Sequence, residues 1–366
     1  MNFALSEEQE FLREAARGTL GRVSTVEAAR ESLDGDELPD LWPVAVEAGW
    51  PGLLVSEERG GAGLGAIEAM LVFAELGRVL ASVPLLGHLP ATWLLDAAAW
   101  DGVEALAAGD RRAAFVPAQP PAAGEPGWTT DAREGIRRAA APVLDGGTLT
   151  GAVAWVPNAP GADVLVVVAE GGRVAVVDAA DAAIEPVRRY DATRSLAHVT
   201  FERSPAVELR GPDAAVAWHL AQALLAAESL GAVEAALETS VAYAKDRFTF
   251  GRAIGSYQAV KHSLVEILRG QENARSLMYY AGWAAQDRPD ELALATAAFR
   301  TVAGGALDHA ARVQISVHGG IGATWEHDAP LYFRRAQLSR RLLGGAGGAA
   351  GRVADELFDA ARREAA

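Results

Sequence analysis

Residues 246–258 read DRFTFGRAIGSYQ, and residues 318–328 read HGGIGATWEHD. In the first stretch, Arg247 carries a permanent positive charge that can bind a pyrophosphate through two parallel hydrogen bonds. Thr249 adds a hydroxyl donor, and Phe250 offers an apolar plate for a ring. Such a combination is typical of a site that holds a flavin nucleotide.

The glycine pair of the second stretch supports the same interpretation. Gly319 and Gly320 lack side chains, so their backbone can approach a ligand where any other residue would collide with it. Either stretch alone is weak support, and the two together predict a flavin site.

The composition limits the class of protein. The chain has 366 residues, half of them hydrophobic, which is enough for a large core and two or three domains. The net charge of −15 argues against a nucleic-acid or anionic-membrane partner, since both would be repelled. The absence of cysteine excludes disulfides, thiolate metal sites and a catalytic thiol, and the seven histidines show no metal-ligand spacing. We expect no metal.

The location of the protein is predicted from its first residues and its apolar runs. Charged residues follow Leu5 at once, and no apolar run approaches the roughly 18 residues that a membrane span needs. We therefore expect a cytoplasmic protein with no membrane partner.

Three regions follow from the periodicity. Helical patterns dominate residues 1–112, beginning at a capping box formed by Ser6 and Gln9. Residues 113–208 contain β-branched runs, including a hairpin signal over 164–177, and predict a small antiparallel β domain. Residues 209–366 return to helical periodicity and predict a helical bundle. The fold class is α+β.

This order of regions, together with the two motifs, resembles the acyl-CoA dehydrogenase family over essentially the full length. The resemblance implies an N-terminal helical domain, a middle antiparallel β domain and a C-terminal four-helix bundle. It also implies FAD as cofactor and the introduction of an α,β double bond into acyl-CoA thioesters. In the family, each FAD lies at a dimer interface and takes residues from both subunits, so the resemblance implies that the bundle of residues 209–366 binds the cofactor and forms the oligomer.

The half of the FAD site that a neighbouring subunit supplies is largely present. Ser316 departs from the pattern, because the family usually has glutamine there and Gln314 lies two positions too early. The residues that match, with Ser316 at its place in the pattern, are Arg247, Thr249, Phe250, Gln258, Ser316, Gly319 and Gly320.

The half that a subunit supplies to its own FAD is poorly matched. The Thr-Glu-Pro-like loop of the family is absent from residues 116–130, while Trp155 matches a tryptophan that packs on the flavin, or is ordinary core. The two positions where the family carries its catalytic glutamate read Leu343 and Ala221 here. The remaining carboxylate candidates are Glu228, which could instead be a buried partner in hydrogen bonds, and Glu326, which could instead pair with a helix start.

The resemblance therefore favours the companion subunit of a hetero-oligomeric, actinobacterial-type enzyme acting on a bulky, for example sterol side-chain, acyl-CoA thioester. A homologous subunit would supply the base, and an electron-transfer flavoprotein would accept the electrons. Two alternatives stay open. One is a self-sufficient homo-oligomer with an unusual base such as Glu228, acting on an acyl-CoA or acyl carrier protein thioester. The other is a flavin-free scaffold.

Overall fold

The N-terminal region of the computed structural model is helical, and the structure describes residues 4–23, 25–34, 38–117, 141–187 and 191–364. The predicted capping box is confirmed, because the Ser6 hydroxyl accepts from the Gln9 amide at 3.2 Å and the Ser6 amide donates to the Gln9 side chain at 3.0 Å. The helices are α1 (Glu7–Leu20), α2 (Thr25–Glu31), α3 (Trp42–Glu47), α4 (Ala66–Arg78), α5 (Leu85–Ala97) and α6 (Val103–Ala107).

The middle region consists of two four-stranded sheets. One sheet has the strand order β1-β4-β5-β8 and the other β2-β3-β7-β6, and an apolar core formed by both lies between them. The strands are β1 (Ala113–Pro117), β2 (Val143–Asp145), β3 (Thr148–Pro157), β4 (Val164–Val168), β5 (Val174–Asp178), β6 (Ala183–Pro186), β7 (Leu196–Pro205) and β8 (Val207–Leu209).

The predicted hairpin over 164–177 is confirmed as β4 and β5, which pair antiparallel. Gly171 and Gly172 turn the chain between them at φ of 74° and 75°, a region that favours glycine. One pair departs from the antiparallel prediction, because β1 runs parallel to β4. Strands β2 and β3 of the other sheet lie between them in sequence, and such a long connection allows parallel pairing.

The C-terminal region is a bundle of long helices. Its elements are α7 (Ala214–Asp246), the two-residue strands β9 (Phe248–Thr249) and β10 (Arg252–Ala253), α8 (Gln258–Asp287), α9 (Leu292–His318), α10 (Ala329–Ser339) and α11 (Gly345–Glu364). Contrary to the expectation that no apolar stretch is long enough for a membrane span, α7 alone among the described residues is long and apolar enough to cross one, but 89% of its most apolar window is buried inside the protein. It is the central core helix. The arrangement confirms the α+β class, while the domain boundaries at 112 and 208 stay predictions.

Helices α4 and α7 cross at very short distance. A Cβ atom on Gly77 would lie 1.9 Å from the carbonyl oxygen of Glu228, and one on Gly231 would lie 1.7 Å from that of Ala74. Only glycine fits at these two positions, so the crossing fixes how the N-terminal region sits on the bundle.

Candidate functional site

The hairpin that follows α7 carries the first motif. The Arg247 amide donates to the Tyr243 carbonyl at 2.9 Å and ends the helix, after which β9 and β10 pair across a tight turn. Phe250 at φ 49° and Gly251 at φ 79° make this turn. Arg247 and Thr249 are exposed, and Phe250 is 93% exposed. The hairpin therefore presents its cation, hydroxyl and ring outward, away from the chain's own core.

The glycine pair lies at the same end of the bundle. Gly319 ends α9 at φ 65°, and the preceding His318 stacks on Tyr243 with ring centroids 4.4 Å apart. The Tyr243 hydroxyl also donates to the His318 carbonyl at 3.5 Å. Tyr243 stands one helical turn before Arg247, so the fold brings together the two motifs that the sequence separates by some seventy residues.

The glycine pair faces open space. A Cβ atom on Gly319 or Gly320 would meet nothing within 4 Å, so the chain itself gives no steric reason for glycine here. The positive φ of Gly319 favours glycine by itself, whereas the open space around Gly320 leaves its backbone accessible to a molecule from outside, such as a nucleotide or a second subunit.

The other predicted contacts of this half also lie on the surface. Gln258 is exposed at the first position of α8, and Ser316 is exposed near the end of α9. Gln314 is buried and donates to the Thr239 hydroxyl at 2.9 Å. Because its side chain points into the bundle, Gln314 does not stand in for the glutamine that the family has at 316.

Trp155 lies in an irregular part of β3. The pairing with β7 shifts register between Val153 and Val156, and Trp155 adopts φ 63° within this bulge. Its half-buried ring meets His198 edge-on at 4.9 Å. A bulge and a positive φ often re-aim a side chain at a functional site. The role of Trp155 stays a prediction, and the loop predicted to be missing from 116–130 falls mostly outside the described residues.

The two base positions are filled by buried apolar side chains. Leu343 and Ala221 are each 1% exposed. The Gln222 side chain donates to the Leu343 carbonyl at 2.9 Å, and Arg300 donates to the carbonyls of Ser339 and Leu342. The loop that carries Leu343 is therefore held from the inside of the bundle, with its leucine in a left-handed conformation at φ 50°.

Glu228 is engaged in a buried network of ion pairs. One carboxylate oxygen accepts from Arg335 at 2.7 Å, and the other accepts from Arg194. Arg335 also donates to Asp191 at 2.8 Å, as expected for a structural pairing of the segment 191–194. Burial raises the pKa of Asp191, but Arg335 and Arg194 outweigh burial and hold that pKa below its usual value. With both oxygens occupied, Glu228 fits the structural interpretation better than that of a free base.

Glu326 lies exposed in the turn before α10. The hydrogen bond expected of Glu326 at the start of α10 is made by the next residue instead. The ring of His327 accepts from the backbone amide of Ala329 at 3.0 Å. The flanking Trp325 ring lies 4.6 Å from the Arg334 guanidinium. Glu326 is accessible, and the ring of the next residue, His327, lies 4.2 Å from the ring of His318, which directly precedes the glycine pair.

Comparisons with known proteins decide the family. The model of the acyl-CoA dehydrogenase C-terminal domain matches residues 214–358, and that of the N-terminal domain matches residues 6–99. The acyl-CoA dehydrogenase IpdE2 of Mycobacterium tuberculosis is 36% identical over 340 residues, covering 92% of this chain and 93% of that protein. The chain belongs to the acyl-CoA dehydrogenase family. Its cofactor is therefore FAD, and its class is that of oxidoreductases.

Solved structures of this family superpose on the whole chain. The ChsE4-ChsE5 complex from Mycobacterium tuberculosis matches with a TM-score of 0.84 and 26% identity over 98% of this chain and 99% of that one. A Tcur3481-Tcur3483 steroid ACAD variant matches with a TM-score of 0.84 and 28% identity over 97% and 99%. The acyl-CoA dehydrogenase FadE34 of Mycobacterium tuberculosis is 33% identical. The match includes 94% of this chain but only 47% of the length of FadE34.

The described part of the structure fits one half of an FAD site. The exposed guanidinium of Arg247, the Thr249 hydroxyl and the open glycine pair at the end of α9 suit a pyrophosphate and an adjoining adenosine. Bound FAD supplies the hydride acceptor for dehydrogenation. Arg247, Thr249 and the glycine pair would bind and orient it, and this role stays a prediction.

Proposed function

We propose that this chain is the companion subunit of a hetero-oligomeric acyl-CoA dehydrogenase. The observation that carries the proposal is that both base positions hold buried apolar side chains, Leu343 and Ala221. Removal of the α-proton of an acyl thioester needs a positioned acceptor, typically worth 10²–10⁴-fold in rate. Glu228, about two helical turns after Ala221 on α7, has both oxygens in ion pairs. A partner subunit would therefore provide the base.

The exposed hairpin supports a role across an interface. Phe250 at 93% and Phe248 at 63% exposure would be unfavourable on an isolated protein, and a second chain with its FAD would cover them. Relatives point in the same direction, since ChsE4-ChsE5 is a complex of two proteins and FadE34 has about twice the length of this chain.

Substrate, acceptor and location complete the proposal. The substrate is an acyl-CoA thioester with a bulky group, as in the steroid ACAD relative, or else an acyl carrier protein thioester. An electron-transfer flavoprotein accepts the electrons, and the complex works in the cytoplasm. The alternatives are a self-sufficient homo-oligomer that uses Glu228, and a scaffold that binds no flavin.

Purification of the chain alone and together with a co-encoded homologue separates these three functions. The companion subunit predicts little FAD in the isolated chain, and both FAD and a higher melting temperature once the partner binds. A yellow isolated chain with one FAD per subunit, whose flavin bleaches with an acyl thioester, would replace the proposal by the homo-oligomer. The absence of flavin from every complex would identify a scaffold. Native mass spectrometry gives the subunit composition in each case.

A further inference from the structure

A cavity of about 500 Å³ lies between the N-terminal end of α4, the first half of α7 and the C-terminal end of α8. Apolar side chains such as Trp93, Leu220 and Ala223 line it together with the polar side chains of Glu68 and Gln286. The cavity opens to solvent on one side, where Leu64 and Gln286 are exposed, so it is a cleft between the helices.

The helix packing explains the space. Helices α4 and α7 touch at Gly77 and Gly231, and the cavity begins several turns away, at the ends where Ala66 and Val216 stand. Small side chains such as Ala223 line these ends and leave the gap open. Leucine at the same place would fill a large part of it.

The cavity is separate from the end of the bundle that carries the hairpin of residues 247–253 and the glycine pair. On α8, the flavin motif contributes Gln258 at the first position of the helix, and residues between 281 and 286 line the cavity. At 1.5 Å per residue, the 23 residues from Gln258 to Ala281 span about 35 Å. On α7, the cavity-facing Leu220 and Ala223 form one stripe, while Ala221, at a base position, lies about 130° around the helix from that stripe.

We propose that this cavity is a second ligand site, for a neutral and largely hydrocarbon molecule that carries its polar group at one end. Its volume lies within the range of about 300–1,000 Å³ that is usual for small-molecule sites. The exposed amide of Gln286 at the rim offers a donor and an acceptor to the polar end.

The charge of the wall selects against anions. Glu68 lines the cavity, and its two carboxylate oxygens already accept from the Gln9 side chain at 2.7 Å and from the Gly65 amide at 3.0 Å. Its negative charge repels a carboxylate or phosphate, and its occupied oxygens leave little to bind a cation. A neutral ligand remains, either a linear chain or a fused-ring body.

Binding to the full chain tests the proposal with androst-4-ene-3,17-dione as the fused-ring probe, 1-decanol as the linear probe and decanoate as the anionic comparison. We expect one neutral probe to bind saturably at one molecule per chain in equilibrium dialysis and to raise the melting temperature, with decanoate at least about tenfold weaker. The neutral probe that binds identifies the shape of the ligand. The measurement requires no FAD, so its result is independent of the companion-subunit proposal.

Two cavity-filling variants decide whether the probe is bound there. Ala223→Leu, in the buried wall, and Ala285→Leu, at the half-buried rim, should each weaken binding at least about tenfold. Ala15→Leu, the same change at an exposed position of α1, should bind like the wild type. If Ala223→Leu fails to fold, Ala285→Leu alone decides. Absence of saturable binding by either neutral probe, or unchanged binding in the folded filled variants, would overturn the proposal and leave a cleft without a ligand.

Discussion

Arg335 donates to Glu228 at 2.7 Å, and neither residue is more than 6% exposed. Arg335 comes from α10 and Glu228 from the middle of α7, and the same guanidinium reaches Asp191 of the β domain at 2.8 Å. One buried cation thus joins three parts of the chain. A carboxylate placed in this way holds the fold together, and its removal would leave guanidinium groups buried without compensation.

Glu228→Gln should lower the free energy of unfolding by about 3–5 kcal/mol, which is the usual cost of breaking a buried ion pair. Urea unfolding followed by circular dichroism measures this. The control is Glu266→Gln, because Glu266 pairs with Arg269 at the surface with side chains 49% and 67% exposed, and such pairs contribute little to stability.

The same variant also tests the companion subunit. A fall in turnover of more than about 10⁴-fold with FAD still bound would exceed the usual share of a general base and make Glu228 catalytic. We expect no such fall from Glu228→Gln or from Glu326→Gln.

Arg247→Ala should reduce FAD retention in whichever complex forms, because the pyrophosphate loses charge-assisted hydrogen bonds worth about 1.5–3 kcal/mol each. Helical content should not change, since the Arg247 side chain is exposed. The flavin-to-protein absorbance ratio after gel filtration measures retention. Arg269→Ala is a matched control, as Arg269 lies exposed on α8 in a pair with Glu266. Equal FAD content in wild type and Arg247→Ala would remove Arg247 from the site.

The sequence predicted those features that depend on local pattern. The capping box at Ser6, the hairpin over 164–177 and the α+β order need only neighbouring residues and a period. That residues 247–250 and Gly319 belong to one site was predicted from the family resemblance. In the structure, the contact between the rings of Tyr243 and His318 brings the two segments together.

Other features could not be predicted because they depend on distant residues. Nothing near Leu343 in sequence indicates that Gln222 and Arg300 hold its loop from two other helices. The parallel pairing of β1 with β4 depends on the path of the chain through the second sheet. The cavity beside Ala223 arises from the angle between helices, which no single segment encodes.

Buried histidines should make the protein less stable as the pH falls below neutrality. Burial lowers the pKa of His88 from 6.5 to about 4, and its Nδ1 accepts from the Ala113 amide at 3.0 Å, so the folded state favours the neutral ring. The stabilisation is fully present above pH 6.5, where the ring is neutral in both states. It is lost as the pH falls toward 4, because the unfolded chain binds the proton first.

The loss from His88 amounts to about 3 kcal/mol across that window. His88→Gln should flatten the curve of unfolding free energy against pH between 6.5 and 4. Burial, and to a smaller extent Arg352, also lower the pKa of His219 to about 4. His219 therefore keeps its own contribution to the slope in the His88→Gln variant. The exposed His262→Gln serves as a control and should leave the slope unchanged. An unaltered slope in His88→Gln would contradict the assignment.

Gly77→Ala should destabilise the protein strongly, because the new methyl group would lie 1.9 Å from the backbone carbonyl oxygen of Glu228. A backbone atom cannot rotate away as a side chain does, so α4 and α7 must separate by more than about 1 Å, and overpacking of this kind costs 1–3 kcal/mol or more. The matched control is Gly305→Ala in the interior of α9, where the methyl group meets nothing within 4 Å. Alanine should raise the stability there by about 0.5–1 kcal/mol, since it restricts the unfolded chain and favours the helix. Midpoints of urea unfolding give both values, and a Gly77→Ala protein as stable as the wild type would show that the two helices do not cross at this distance.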